Sequence, residues 1–300
     1  MIKYNWDKKN ERLLLNTYVE KMGKNDCKIG ARIHDIIRFS TSLKKELAES
    51  QLQTVQLTLP KFLGAEGLQN LNREKLLSIK NTFQQENVGI KVLSCYINPL
   101  AEDFEKQQAL FKRYVDYAEL MGVDIVGTET GTVVSDLRCF EKNHTEAIFK
   151  KMMQVMVPLV EYASSKGIRV GIETVKYFPV CDAHRFERLF QAFPQGSLCC
   201  IFDPTNLLYE GNCNKQREIF EEFVSMHASR IEVVHFKDFV IEDGLLQERP
   251  LYSGRLDVEF VVHLLKKYNV QADIIVESAP STEAFKVIKN KIRKTMDGGE

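Results

Sequence analysis

From residue 28 onward the chain alternates between two hydrophobic patterns. Short runs of aliphatic and β-branched residues at 29–33, 54–57, 90–97, 124–128, 169–173, 198–203, 231–238 and 273–277 are apolar almost without interruption, as strands buried on both faces are. Between them lie longer segments with apolar residues at helical spacing, near 42–49, 73–86, 102–121, 145–166, 183–192, 216–229, 257–268 and 282–296. The segments at 102–121 and 145–166 run into Gly122 and Gly167, where a residue in the left-handed region is expected to close a helix. Strand and helix alternating in this number predict an α/β fold, a closed (β/α)8 TIM barrel in one domain over 27–300, with a doubly wound open sheet as the alternative. Residues 1–26 stand apart. The stretch 8–21 has a helical face in Leu13, Leu14 and Tyr18 that Gly23 and Asn25 end, so a helical N-terminal extension covering one end of the barrel is expected.

Four of the strands finish on a polar residue: Glu173, Asp203, His235 and Glu277. In a parallel barrel the C-terminal strand ends converge on one face, and that face carries the chemistry. The side-chain period of two places Gly171, Ile201, Val233 and Ile275 in the interior below these residues, and Lys237 above His235 at the mouth. Three carboxylates with one imidazole suit a single divalent cation, Mn, Mg, Co or Zn, and repel one another without one. Two plainer readings compete. A terminal carboxylate such as Asp203 or Asp238 can simply cap the next helix, and the four can form a polar network neutralised by Lys237 and Arg255. His34, at the end of the first strand, is a further candidate for contact with a substrate. His184 lies in the loop after the fifth strand, and His144, His227 and His263 read as surface or helix-end residues.

Composition narrows the partners. Lys+Arg and Asp+Glu both number 41, which argues against a dedicated nucleic-acid binder, and the 44% hydrophobic content is that of an ordinary packed core. The seven cysteines show no paired metal-site spacing, and Cys199 and Cys200 must face opposite sides of one strand. With no apolar signal segment or membrane span, the expectation is a cytoplasmic protein whose partner is a small-molecule carbohydrate, with no nucleic acid or membrane, and with homo-oligomerisation open.

The segments GIETV around Glu173, IFDPTN around Asp203, VHFKD around His235, GRLD at 254–257 and IIVES around Glu277 resemble the motifs of the xylose isomerase-like TIM barrels, the sugar phosphate isomerase/epimerase family. The resemblance implies that Glu173, Asp203, His235 and Glu277 bind one divalent metal ion. It also implies that Glu173 and Glu277 are catalytic, moving a proton next to a carbonyl through an enediolate in a sugar, sugar phosphate or polyol ketone. An inosose dehydratase-like lyase and a non-catalytic carbohydrate-binding barrel are the alternatives. Many relatives carry a histidine three residues after the strand-six aspartate, where this chain has Asn206, so Asn206 is expected among the substrate-binding residues with Lys237, His34 and Arg255. A three-zinc nuclease site would need histidines where Cys95, Tyr96 and Asn98 stand. A phosphate, if the substrate carries one, is expected on Lys237 and the backbone amides of 253–256.

Overall fold

The computed structural model describes residues 27–298, so the helix expected at 8–21 lies outside the described residues. Its strands are β1 (Ile29–Arg32), β2 (Thr54–Leu57), β3 (Gly89–Ser94), β4 (Ile125–Thr128), β5 (Arg169–Glu173), β6 (Leu198–Phe202), β7 (Ile231–Phe236), β8 (Asp238–Glu242), β9 (Leu245–Arg249) and β10 (Asp273–Val276). All but β8 and β9 close into a parallel barrel in the order β1-β10-β7-β6-β5-β4-β3-β2. The open-sheet alternative is thereby excluded. Among the described residues no helix is long and apolar enough to cross a membrane.

The alternation along each strand divides the apolar residues into two bodies. Val92, Ile125, Cys199, Ile201, Val233 and Ile275 fill the barrel interior as one cluster, while Cys200, Phe202, Val234 and Ile274 belong to the larger core between strands and helices. Cys199 and Cys200 thus face opposite ways, as a strand requires. Inside the barrel, Gly127 and Gly171 are register partners on β4 and β5. A Cβ on Gly171 would stand 2.8 Å from Ile125 Cγ2 and 2.9 Å from Ile201 Cδ1, so the space beneath Glu173 is taken by interior side chains.

The outer helices begin and end as their local sequence dictates. Thr145, Asp182, Asp257 and Ser281 each accept a backbone N–H from the first turn of the helix they precede, which satisfies donors that would otherwise be orphaned. Gly122 closes helix Phe104–Met121 at φ 69°. His227 ends helix Gln216–His227 but is fully buried, with Nε2 2.8 Å from the Ala183 carbonyl and its ring 4.9 Å from that of Phe223. Burial, not exposure, is its setting.

Three elements depart from the simple alternation. A one-turn helix, Ile33–Ile36, follows β1 directly. Between β2 and helix Arg73–Gln85 lies a further helix, Leu59–Gln69, started by a proline in its first turn and kinked at Gly64, φ 71°. After β7 the chain forms an antiparallel hairpin, β8 with β9, closed by Asp243 and Gly244 at φ 51° and 74°. Asp-Gly with both residues in the left-handed region is a strong two-residue hairpin signal.

The tight fit at Gly171 gives a measurable consequence. Gly171→Ala should destabilise the protein by about 1–3 kcal/mol, the usual cost of overpacking a filled interior, as measured by urea denaturation. An unchanged midpoint would show that Ile201 moves aside at no cost.

Candidate metal centre

Glu173 is the last residue of β5, Asp203 follows β6, His235 lies in β7 and Glu277 follows β10. Register pairs Glu173 with Ile201 and His235 with Ile275, and all four site residues stand at the C-terminal ends of their strands, at the mouth of the barrel. All four are at most 5% exposed. One ligand atom from each of Glu173, Asp203 and His235 falls within 4.8 Å of the others. Glu277 adjoins this group, with Oε1 3.3 Å from His235 Nδ1, while Glu173 Oε1 stands 3.4 Å from the same nitrogen.

Each carboxylate is held by its own set of partners. Glu173 accepts hydrogen bonds from Tyr96 Oη at Oε2 and from Asn206 Nδ2 at Oε1, the latter at 2.9 Å. The Tyr96 hydroxyl accepts in turn from Gln56 Nε2 at 2.9 Å. Asp203 Oδ1 accepts the Asn206 N–H at 3.0 Å, so one of its oxygens does cap the following turn. Its Oδ2 faces Lys237 Nζ at 3.0 Å. Glu277 Oε2 lies 3.3 Å from both Lys237 Nζ and Arg32 Nη1. Arg32 Nε is fixed by Asp35, which also accepts the Ser278 N–H.

Lys237 is buried among three carboxylates, those of Asp203, Glu277 and, from the hairpin, Glu248 at 2.9 Å. Its ammonium has three protons to donate, and each carboxylate can take one. Asp238, the next residue, turns away from the cluster. Its oxygens accept the N–H groups of Phe239, Gly254 and Leu256, each at 2.8 Å. A Cβ on Gly254 would stand 2.2 Å from the Phe239 carbonyl oxygen, so this close approach requires glycine. The Ser253 and Arg255 amides donate to the Pro250 and Phe239 carbonyls. The amides of 253–256 expected to receive a phosphate are therefore occupied by the chain itself, and so is Lys237.

The remaining expected residues spread out. His34, in the one-turn helix after β1, is buried with Nε2 3.6 Å from Asp35 Oδ1, and burial pushes its pKa down to about 4. Arg255 is exposed and its Nη2 lies 3.4 Å from Asn214 Oδ1. His184 pairs with Glu222 on the surface. The reading from sequence left out Arg32, Tyr96 and Gln56 as members of the cluster, and considered Glu129, the residue after β4, only as an ion-pair partner of Lys237, with Asp238 as the alternative; Lys237 instead pairs with Asp203, Glu248 and Glu277. Burial, reinforced by Glu173, pushes the Glu129 carboxyl up to about 8.

Electrostatics and unmet hydrogen bonds bear on whether a cation fits. Burial raises the Asp203 carboxyl to about 7 despite Lys237. Burial would also raise Glu277, but Lys237, His235 and Arg32 hold it well below the usual carboxylate range. Burial opposes the charged form of His235, yet Glu173 and Glu277 raise its pKa on balance. His235 Nε2 is buried without a hydrogen-bond partner among the described residues, while His235 Nδ1 and Asp203 Oδ2 meet only charged neighbours, Glu173 and Glu277 at 3.4 and 3.3 Å and Lys237 at 3.0 Å. Buried polar atoms are rarely left so, and two carboxylates with an imidazole are the donor set of a divalent metal. The site fits one.

Comparison with known proteins agrees with the fold. The sequence profile of the family described as xylose isomerase-like TIM barrel matches residues 45–295. No curated protein sequence matches the chain. Among solved structures, a D-tagatose 3-epimerase-like protein is 16% identical with a TM-score of 0.69, over 90% of this chain and 98% of its own. An L-ribulose 3-epimerase is 12% identical, also at 0.69, over 91% and 95%. The IOLI protein with a bound zinc atom is 16% identical at 0.64, over 90% and 95%. At these identities the likeness is one of fold.

Glu129 gives the cluster a pH dependence. A carboxyl raised from 4.5 to about 8 binds its proton more tightly in the folded chain, so its contribution to stability is complete below about 4.5 and lost as pH rises through about 8. In chelator-treated protein, wild type should lose thermal stability relative to Glu129→Gln as pH is raised from about 5 to about 9. Parallel pH profiles for the two proteins would place Glu129 in contact with solvent.

Proposed function

Since the chain belongs to the xylose isomerase-like TIM barrel family, we propose that it is a divalent-metal-dependent isomerase or epimerase of a sugar or related polyol ketone. The observation that carries this reading is the buried group of Glu173, Asp203 and His235, converging closely enough to share one ion, with His235 Nε2 buried and without a hydrogen-bond partner among the described residues. These three residues and Glu277 would hold the cation. When bound, it supplies a Lewis acid that steadies negative charge developing on a substrate oxygen.

The chain's own residues account for the proton. Glu277, bound by Lys237 and Arg32, and Glu173 are the two carboxylates that would flank the substrate, one removing a proton next to the carbonyl and the other returning it. The Glu173 carboxylate is oriented by Tyr96 and Asn206, so Asn206 acts first on the glutamate and through it on the substrate. Return of the proton to the other face of the same carbon gives epimerisation, and return to the neighbouring carbon gives isomerisation. The interior layer of Ile201, Val233 and Ile275 closes the site from below and keeps water from the reacting carbon.

The reading makes two quantitative demands. Glu277→Gln and Glu173→Gln should each keep a metal site by elemental analysis while losing turnover by about 10²–10⁴-fold, followed as solvent deuterium incorporated into ketoses and inososes. Turnover like that of wild type in either variant would leave that glutamate a ligand alone. Tyr96→Phe removes a hydroxyl that orients Glu173, and should weaken Mn²⁺ or Zn²⁺ binding by about 10–100-fold in calorimetric titration.

A further inference from the structure

The hairpin after β7 is an addition to the barrel that bears on the site. It begins at Asp238, immediately after Lys237, and returns at Arg249, whose register partner is Asp238. Glu248, one residue before this return, places Oε1 2.9 Å from Lys237 Nζ. That carboxylate is half exposed at the mouth, whereas the other two around Lys237 are buried. The hairpin's own cation, Arg249, is paired with Glu242.

The charges around the mouth leave no positive surplus for an anion from outside. Glu173, Asp203, Glu248 and Glu277, with Asp35 on Arg32, are five carboxylates, against four positive charges from Lys237, Arg32 and one divalent cation. A phosphate added beside Lys237 would face Glu248 and Asp203 at close range, and like charges brought together at an interface are strongly unfavourable. It would also meet no free amide in the adjoining turn, because the Asp238 carboxylate fills that nest from within. A sugar hydroxyl has neither difficulty. It can donate to the half-exposed Glu248 carboxylate in the same place.

We propose that the β8–β9 hairpin makes this site selective for an uncharged polyhydroxy carbonyl compound over its phosphate ester, with Glu248 as the residue that sets the preference. The inference rests on the isomerase or epimerase reading, and it narrows the substrate class of that same site. Glu248 works by occupying the buried Lys237 ammonium, so that the ammonium is no anion trap and the Glu248 carboxylate is left as the hydroxyl partner.

The test compares metal-loaded wild type with Glu248→Gln on a panel of free ketoses and inososes and the matching ketose phosphates, read by solvent deuterium incorporation. Wild type should favour the free compound in kcat/KM by about tenfold or more, and Glu248→Gln should narrow that ratio by about as much, since loss of a charge-assisted partner is of that order. A preference for the phosphate, or a ratio untouched by the substitution, overturns the inference and leaves the isomerase reading in place. Lack of exchange with every compound overturns the isomerase reading instead, and calorimetry then decides the selectivity. Inorganic phosphate titrated into metal-loaded protein should show no saturable binding to wild type at millimolar concentration and should bind Glu248→Gln. Saturable binding to wild type overturns the inference.

Discussion

Carboxylates brought together out of water need positive charge, and the mouth of this barrel is arranged around that need. Each ion removed from solvent costs several kcal/mol even after relaxation. Glu173, Asp203 and Glu277 are nonetheless at most 5% exposed. Lys237 and Arg32 offset part of this, Lys237 by touching Asp203, Glu277 and Glu248 and Arg32 by touching Glu277. The unmet remainder is local. It sits at Glu173, which no lysine or arginine touches among the described residues, and at the unpartnered His235 Nε2, which is where a further cation has most to offer.

Two adjacent residues join this electrostatic centre to the loops. Lys237 points into the carboxylate cluster and Asp238 points the other way, into the amides of Gly254 and Leu256. The first fixes the chemistry of the mouth. The second ties the hairpin to the turn that leads into helix Val258–Lys267, so the position of Glu248 is set by the same strand that carries His235. On the opposite side of the barrel, Gln56 from β2 supports Tyr96, which supports Glu173. Strands at some distance in the sequence thereby orient a single carboxylate, as partners behind a ligand commonly do.

Much of this was legible in the chain because the rules involved are local. Continuous apolar runs marked the barrel strands, and the period of two correctly divided Cys199 from Cys200 and placed Ile201, Val233 and Ile275 inside. The residues at strand ends followed from the same counting, which is why Glu173, Asp203 and His235 were found together. The hairpin had a usable signal in Asp243-Gly244, masked by charged and exposed positions on β9. Glu129 followed β4 as Glu277 follows β10, and the same rule applied to that strand would have included it.

Sequence by itself determined the class of fold, the order of strands and the kinds of group that reach the mouth, because side-chain direction along a strand depends on near neighbours alone. Only the tertiary structure decided the pairings. Tyr96 meets Glu173 across 77 residues and Glu277 meets Lys237 across 40, and no local rule says which acid takes which partner. The turn at 253–256 shows the same limit. Its amides looked free for a phosphate until the folded chain brought Asp238 to them, since an unpaired donor is a property of everything packed around it and not of its own segment.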